Sequence, residues 1–126
     1  MSLLSELNTL LSPLAPVETG IFSGSELSVH WTVRTPDEYF ILTPLSNDFD
    51  VFADNRPNVD IQNVRVSLYS KKNYNQLLSL ITIRLMDAEI IITERRYIGY
   101  ESDTNYHHYM VDVSKYFTIN GGNENG

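Results

Sequence analysis

Four residues that could do chemistry together lie within one short stretch: Glu101, Asp103, His107 and His108. Carboxylates and imidazoles are common ligands of zinc and similar metal ions, so this group could form a metal site. His107 and His108 are neighbours, however, and neighbouring side chains of a β-strand point to opposite faces. The two imidazoles then cannot easily share one ion. We therefore expect a polar hairpin tip with one histidine packed against tyrosines, and no metal site.

Catalysis by a nucleophile or through a cofactor has no better support. Ser102 could pair with His107 or His108, but nothing in the sequence predicts a preorganised oxyanion hole. The chain contains no cysteine, and it lacks the glycine-rich phosphate-binding motifs and the HExxH and GxSxG motifs. We expect no catalytic residue, no cofactor and no enzyme activity.

The same stretch is rich in tyrosines, which follow the basic pair Arg95 and Arg96. Four of the eight tyrosines lie here: Tyr97, Tyr100, Tyr106 and Tyr109. Arginine and tyrosine are enriched at the energetic centres of protein interfaces. Stacking on nucleobases would need more positive charge than two arginines supply. We therefore predict an interface that includes these residues and His107. A cross-strand aromatic ladder that only stabilises the hairpin is an equal alternative.

The charge of the whole chain argues against nucleic-acid and membrane partners. The 126 residues include 16 acidic and 9 basic side chains, which gives a formal net charge of −7. Repulsion therefore opposes generic binding to DNA, RNA or an anionic membrane. No apolar run approaches the ~18 residues of a membrane-spanning helix, and residues 1–11 lack the features of a signal peptide. We expect a protein that is cytosolic at synthesis.

The charges are also segregated along the chain. Residues 37–60 carry six acids, among them Asp48, Asp50 and Asp54, and one base, Arg56, whereas residues 65–96 carry six bases and three acids. Oppositely charged surfaces of one subunit can meet on neighbouring copies, in a head-to-tail contact that closes into a ring when the rotation permits. The alternative is a random distribution with local salt bridges.

Hydrophobic periodicity predicts the elements that position these residues. Leucines at helical spacing predict a helix over residues 2–11, with Ser2 as N-cap and Pro13 as its end, and a second helical stripe predicts a helix over 73–88. Alternating patterns predict strands over 38–45, 59–69, 89–100 and 105–117, and short strands are possible over 17–22 and 27–33. Residues 46–58 have the composition of a long loop with a short extended piece.

The predicted fold class is α+β, with the element order α-β-β-β-α-β-β. Two helices cover one face of a mainly antiparallel, four- to five-stranded sheet in a two-layer sandwich. We expect one domain over residues 1–120 and a disordered tail over 121–126, which contains the glycine-rich end of the chain.

Four stretches resemble a known protein family: VETGIFSG (17–24), PDEYFILTPLSNDFDVFADNRP (36–57), VRVSLYSKKNY (64–74) and ITERRYIGYESDTNYHHYMVDVSKYF (92–117). They are similar to small proteins from the head–tail joining region of long-tailed phages and of prophages in Gram-positive bacteria. These are tail completion or tail terminator proteins, also called minor capsid or head–tail joining proteins. The most specific pieces are ADNRP and RRYIGYESDTNYHHY.

The resemblance implies an α+β fold in which helices cover a sheet of four or five strands. It implies a hexameric ring on the end of the tail tube that faces the head connector, without catalysis or a cofactor. The implied partners are further copies of the chain, the tail-tube protein and a head-side connector or stopper protein. The implied location is the head–tail interface of the virion, and the host bacterial cytoplasm during assembly.

The ring would bind the last ring of the tail tube, stop its growth and present a surface to the head. The acidic loop 46–58 and the hairpin over residues 100–109 are the two candidate contact surfaces. Three alternatives stay open. The chain could be another neck protein, such as a head-completion adaptor or stopper, or a ligand-binding α+β domain whose aromatic hairpin forms the pocket. It could also be a small hydrolase or metal protein built around His107 and His108.

Overall fold

The fold is that of a computed structural model, which describes residues 2–19, 21–23, 26–28, 36–51 and 57–118. Three predictions lie outside these residues: the continuation of a strand over 29–33, the part of the predicted loop over 52–56, and the tail over 121–126.

The first helix, α1 (Leu3–Leu11), confirms the prediction for residues 2–11. Ser2 is extended and its hydroxyl accepts a hydrogen bond from the backbone N–H of Ser5 at 3.1 Å, which satisfies one of the free donors of the first turn. The leucines at positions 3, 7 and 11 are fully buried. They form one apolar stripe, so tertiary packing holds a helix that is too short to persist alone.

The second helix, α2 (Asn75–Asp87), lies within the predicted range 73–88. The side chain of Asn73 accepts from the backbone N–H of Asn75 at 3.0 Å at the start of the helix. Leu77, Ile81 and Leu85 are buried against the sheet.

Seven strands occur in the described part of the chain: β1 (Val17–Thr19), β2 (Ile21–Ser23), β3 (Glu26–Ser28), β4 (Glu38–Val51), β5 (Pro57–Ser70), β6 (Ile91–Glu101) and β7 (Tyr106–Thr118). Five of them form one sheet in the order β1-β4-β5-β7-β6, while β2 and β3 pair separately as a hairpin. Strand β1 is parallel to β4, and all other neighbours in the large sheet are antiparallel.

Both helices pack on the same face of this sheet. Phe40 and Leu42 of β4, Val66 of β5 and Val111 of β7 join the helical leucines in one core. Lys115 of β7 adds a polar tie, because its ammonium group donates to the Glu6 carboxylate of α1 at 2.7 Å and to a backbone oxygen near the end of α2 at 3.1 Å. The predicted fold class, two helices on a mainly antiparallel five-stranded sheet, is confirmed.

Two details of the prediction are wrong. Five strands rather than three precede α2, and residues 46–51 belong to β4 instead of a long loop. Antiparallel pairing with β5 extends this strand, since Asn47 pairs with Gln62 and Asp48 with Ile61. A ladder of backbone hydrogen bonds therefore outweighs the low strand propensity of Asn and Asp. The register of β4 against β5 shifts between Pro44 and Ser46, at a proline that has no N–H to donate to the ladder.

Candidate functional site: the aromatic hairpin

Strands β6 and β7 form the hairpin that carries the predicted interface. The turn between them is closed by its own side chains, because Tyr100 donates to the Asn105 side-chain oxygen at 2.7 Å and Thr104 donates to the Glu101 carboxylate at 3.0 Å. Asn105 has a positive φ of 64°, a conformation that asparagine tolerates better than most residues. The polar residues of the predicted hairpin tip therefore build the turn.

His107 and His108 lie on opposite faces of the sheet, as predicted. His107 is on the helix-bearing face, where its Nδ1 is 3.1 Å from the hydroxyl of Tyr97. His108 is on the other face, where its ring stacks on Tyr69 with centroids 4.3 Å apart. Both imidazoles thus pack against tyrosines, whereas we expected only one to do so. No group of three or more potential metal ligands occurs among the described residues.

The helix-free face carries a set of rings that we call the aromatic row: Tyr39, Tyr69, Tyr106 and His108. Tyr39 pairs with Tyr69 across β4 and β5, and Tyr69 pairs with His108 across β5 and β7. The Tyr39 and Tyr69 rings stack at 4.8 Å, and the Tyr106 ring meets Tyr39 edge-on at 5.2 Å. These are favourable aromatic geometries. The row ends at Gly99, which pairs with His108 and contributes no side chain.

Tyr106, a predicted interface residue, belongs to this internal packing. It is only 4% exposed, and its hydroxyl donates a hydrogen bond to the backbone oxygen of Pro36. Tyr106 therefore belongs to the cross-strand aromatic ladder and not to an exposed surface.

Burial also changes the titration of the aromatic row. It raises the pKa of the Tyr39, Tyr69 and Tyr106 hydroxyls, because the ionised forms lose solvation. It lowers the pKa of His108, an effect that the Glu101 carboxylate opposes and the Arg65 guanidinium reinforces. The Nε2 atom of His108 is buried without a hydrogen-bond partner. The imidazole is therefore neutral at pH 7, which suits its stacked position.

The helix-bearing face carries a second set of rings, the exposed aromatic cluster: Tyr74, Tyr97, Tyr100, His107 and Tyr109. Tyr74, at the start of α2, stacks on Tyr97 at 5.8 Å, and Tyr100 lies 4.8 Å from His107. Tyr97 and Tyr100 are 43% and 51% exposed, although both are large and partly apolar. Four predicted interface residues thus gather in one surface cluster. Tyr74 was missed because its spacing fits the stripe of α2 equally well.

Arg95 and Arg96 do not form one basic patch. Arg95 pairs with Val111 and shares the helix-bearing face with Tyr97, whereas Arg96 pairs with Met110 and lies on the opposite face. Arg96 lies 3.8 Å from the Glu94 carboxylate. Both arginines are exposed on an edge strand, where each can meet a partner separately.

Some of the charged residues in the two segregated stretches form local ion pairs. Arg65 makes two hydrogen bonds to Asp112, at 2.8 and 3.1 Å, and Asp112 is buried. Lys72 lies 3.9 Å from Glu38. The alternative of local salt bridges therefore accounts for these charges, whereas Arg95 forms no ion pair with any residue that the structure describes.

The predicted acidic and basic interface residues lie towards opposite edges of the sheet. Asp48 and Asp50 are in β4, and the strands β5 and β7 separate them from Arg95 and Arg96 in β6. The two groups are also offset along the strands. Asp48 pairs with Ile61, which in turn pairs with Tyr116 of β7, whereas Arg96 pairs with Met110 of the same strand. Tyr116 and Met110 are six positions apart. Asp54 and Arg56 lie outside the described residues.

The comparison with protein-family models finds no match, and neither does the comparison with curated proteins. Among the described residues no helix is long and apolar enough to cross a membrane.

Proposed function

We propose that this protein is a structural assembly protein of the head–tail interface of a phage or prophage, a tail terminator that forms a ring on the end of the tail tube. The motifs ADNRP and RRYIGYESDTNYHHY, which resemble the tail completion family, suggest this role. The α+β fold, with two helices on a five-stranded sheet, agrees with what that resemblance implies.

The observation that carries the proposal is the separation of charge across the sheet. A ring needs a head-to-tail contact, in which one surface of a subunit meets a different surface of the next. Asp48 and Asp50 of β4 lie towards one edge of the sheet, and Arg95 and Arg96 lie at the other edge on β6, which also carries Glu94 and Glu101. Complementary charges on two such surfaces favour the correct partner and speed association. Their offset of six residues requires a shift of about 20 Å along the strands between neighbours.

The exposed aromatic cluster supports a second contact. Tyr97 and Tyr100 expose about half of their surface next to Arg95, and these residue types dominate the binding energy of many interfaces. In this proposal the charged strands join the subunits of the ring, while the aromatic cluster binds the last ring of the tail-tube protein and ends its polymerisation. A different surface of the ring then meets the head-side connector.

Mass measurement tests the ring itself. Light scattering from about 10 µM to about 1 mM, at low and at high salt, covers the weak range of protein affinities. We expect a closed ring of about six subunits that dissociates when salt screens the charged contact. A strict monomer at every concentration contradicts spontaneous closure.

A capping experiment tests the role on the tube. The tail-tube protein of the same phage or prophage is allowed to polymerise with and without this chain, and tube lengths are measured by electron microscopy. We expect shorter tubes with the chain at their ends. Tubes of unchanged length and bare ends overturn the terminator role. Binding to the head-side connector in that case assigns the chain to the adaptor or stopper proteins instead.

A further inference from the structure

Strand β6 leaves one edge of the sheet open. It is the last strand in the order β1-β4-β5-β7-β6, so the backbone N–H and C=O groups that point away from β7 have no strand beside them in the described structure. The strand is 11 residues long, and Tyr97, Ile98 and Tyr100 are 43%, 47% and 51% exposed. An open edge of this length pairs readily with a further strand. The side chains along β6 indicate which strand fits.

An irregularity between Tyr97 and Gly99 decides which of these side chains share a face. The register against β7 shifts there by one residue, so Ile98 has no partner in β7. In a regular strand, residues three or five positions apart lie on opposite faces. With the extra residue between them, Tyr97 and Tyr100 both lie on the helix-bearing face, since their partners in β7 are two positions apart.

The same irregularity brings two opposite charges onto the helix-free face. Arg96 and Glu101 pair with residues of β7 that are four positions apart, so both point to this face. Gly99 lies between them, and a Cβ atom there would meet no atom of the described residues within 4 Å. Along this face the edge therefore carries a base, an open space and an acid. A second copy that runs antiparallel presents the same three features in the reverse order.

We propose that β6 pairs with β6 of a second copy, antiparallel and about a two-fold axis between Ile98 and Gly99. Arg96 of each copy then lies opposite Glu101 of the other, so the same patch matches both charges at once. Each Ile98 lies opposite the open space at Gly99 of the other copy. The outward backbone groups of the two strands bond to each other, and the two five-stranded sheets become one.

Other registers of the same two strands match the charges less well. An axis at Glu94, Arg95 or Arg96 places that charged residue opposite its own copy, and like charges directly opposite each other are unfavourable. An axis at Tyr97 gives neither Arg96 nor Glu101 an opposite charge. The proposed register forms two unlike pairs and no like pair over the paired residues. Charge therefore selects both the partner, which is a second copy of this chain, and the alignment.

The helix-bearing face adds an aromatic contact to the same pairing. Tyr97 of each copy lies opposite Tyr100 of the other, and cross-strand aromatic pairs stabilise neighbouring strands. The overlap covers residues 96–101 only. The buried area therefore falls at the low end of the range for protein interfaces, and the pair is reversible.

The pairing goes beyond the proposed function and does not depend on it. Both the pair and the charged ring contact use β6, so one copy cannot make them at the same time. Formation of a ring of about six subunits depends on a higher power of the protein concentration than formation of a pair. The pair therefore prevails in dilute solution, where it covers the open edge of β6, and the ring prevails when the chain is concentrated.

Disulfide trapping tests the register. The chain contains no cysteine, so Tyr97→Cys and Tyr100→Cys each introduce a single thiol. In the proposed pair the two positions lie opposite each other, whereas each lies about 10 Å from its own copy, beyond the reach of a disulfide. At about 5 µM under mild oxidation, an equal mixture should form the mixed dimer at least about tenfold faster than either variant forms its own dimer. Isotope labelling of one variant identifies the mixed dimer by mass.

Tyr116→Cys is the matched control, because it replaces another exposed tyrosine, 57% exposed, on a different strand. Its mixture with Tyr97→Cys should crosslink at the slow rate of the single variants. A mixture of Tyr97→Cys and Tyr100→Cys that crosslinks no faster than this control overturns the pairing. Thermal melting establishes that each variant is folded.

Charge exchange tests the two ion pairs. In the mixture of cysteine variants at low salt, Arg96→Glu in both chains brings acids together at each pair and Glu101→Arg brings bases together, so each change should slow crosslinking at least about tenfold. Both changes together exchange the partners and should restore the rate. A doubly changed pair as slow as the singly changed ones overturns the charge matching. These readouts require neither the ring nor the tail-tube protein, so the pairing and the proposed function can fail independently.

Discussion

The two faces of strand β7 carry the same kinds of side chain in different surroundings. His108, on the helix-free face, stacks on Tyr69, which in turn stacks on Tyr39 from β4. His107, one residue away, lies among Tyr97 and Tyr100 at the edge strand β6. The aromatic row spans the three paired strands β4, β5 and β7, so each of its rings packs against another ring of the row. The exposed aromatic cluster lies at the edge of the sheet, where, among the described residues, Tyr74 at the start of α2 packs against its rings.

This difference shows that an aromatic residue in a hairpin is not by itself an interface residue. A tyrosine in the interior of the sheet stabilises the fold, while a tyrosine on the edge strand keeps much of its surface available for a partner. Four experiments can break or sharpen this contrast.

The largest expected effect comes from removing a ring of the aromatic row. Tyr106→Ala should lower the free energy of unfolding by about 3–5 kcal/mol, because a buried aromatic side chain leaves a cavity beside Tyr39 and Tyr69. Chemical denaturation measures the loss. Tyr106→Phe is the control that keeps the ring and removes only the hydrogen bond to Pro36, and it should cost about 1 kcal/mol. A loss below ~1 kcal/mol for the alanine variant contradicts a structural role.

The exposed aromatic cluster should respond in the opposite way. Replacing Tyr97 and Tyr100 together with serine should change the free energy of unfolding by less than about 1 kcal/mol, since both side chains are half exposed. In the proposed function it should weaken binding to the tail-tube protein by about 2 kcal/mol, or roughly 30-fold. Titration calorimetry measures the affinity. Unchanged binding with an intact fold removes the cluster from the tail-tube contact.

The pH dependence of stability separates the two histidines. The pKa of His108 is lowered in the folded protein, so below about pH 6.5, the ordinary value, the unfolded chain binds the proton first. The stabilisation that its neutral form contributes is complete above that pH and is lost as the pH falls through the folded-state pKa. Denaturation between pH 5 and pH 7 should show a smaller decline for His108→Phe.

His107→Phe is the matched control for this experiment, because it removes an imidazole and leaves His108 in place. It should retain the decline in stability that the wild type shows. If His107→Phe flattens the dependence of stability on pH and His108→Phe does not, the conclusion that His108 is the packed histidine is wrong.

The smallest effect on the fold is expected for the acidic residues that we predicted to join neighbouring subunits. Changing Asp48, Asp50 and Asp54 together to asparagine should alter the free energy of unfolding by no more than about 0.5 kcal/mol in total. In the proposed ring it should slow assembly and reduce its salt dependence, because the charges mainly steer association. Light scattering over a salt series measures both. Unchanged assembly removes this segment from the ring contact.

Local patterns predicted much of the fold and part of the candidate site. Helical spacing of leucines is sufficient for α1, because its buried leucines are four positions apart. Period-two alternation likewise predicts β5 and β7, and it already requires that His107 and His108 lie on opposite faces. These properties depend on neighbouring residues only.

The strand over residues 46–51 could not be predicted in this way. Its asparagine and its two aspartates favour turns in isolation, and the pairing of β4 with β5 makes an extended backbone favourable. The stacking of Tyr39 on Tyr69 was not predicted, for a related reason. The two residues are 30 positions apart in the sequence, and the register that stacks their rings is a non-local property.

The sequence by itself determined the element types over most of the described chain, the opposite orientation of the two histidines and the clustering of tyrosines in one hairpin. Only the tertiary structure decided which tyrosines are buried, because their burial depends on the strands and the helix that pack beside them. It also decided that Asp48 and Asp50 lie towards the opposite edge of the sheet from Arg95 and Arg96, since strand order follows from long-range backbone pairing. A residue's type and spacing limit what it can do, and its neighbours in space determine which of those roles it has.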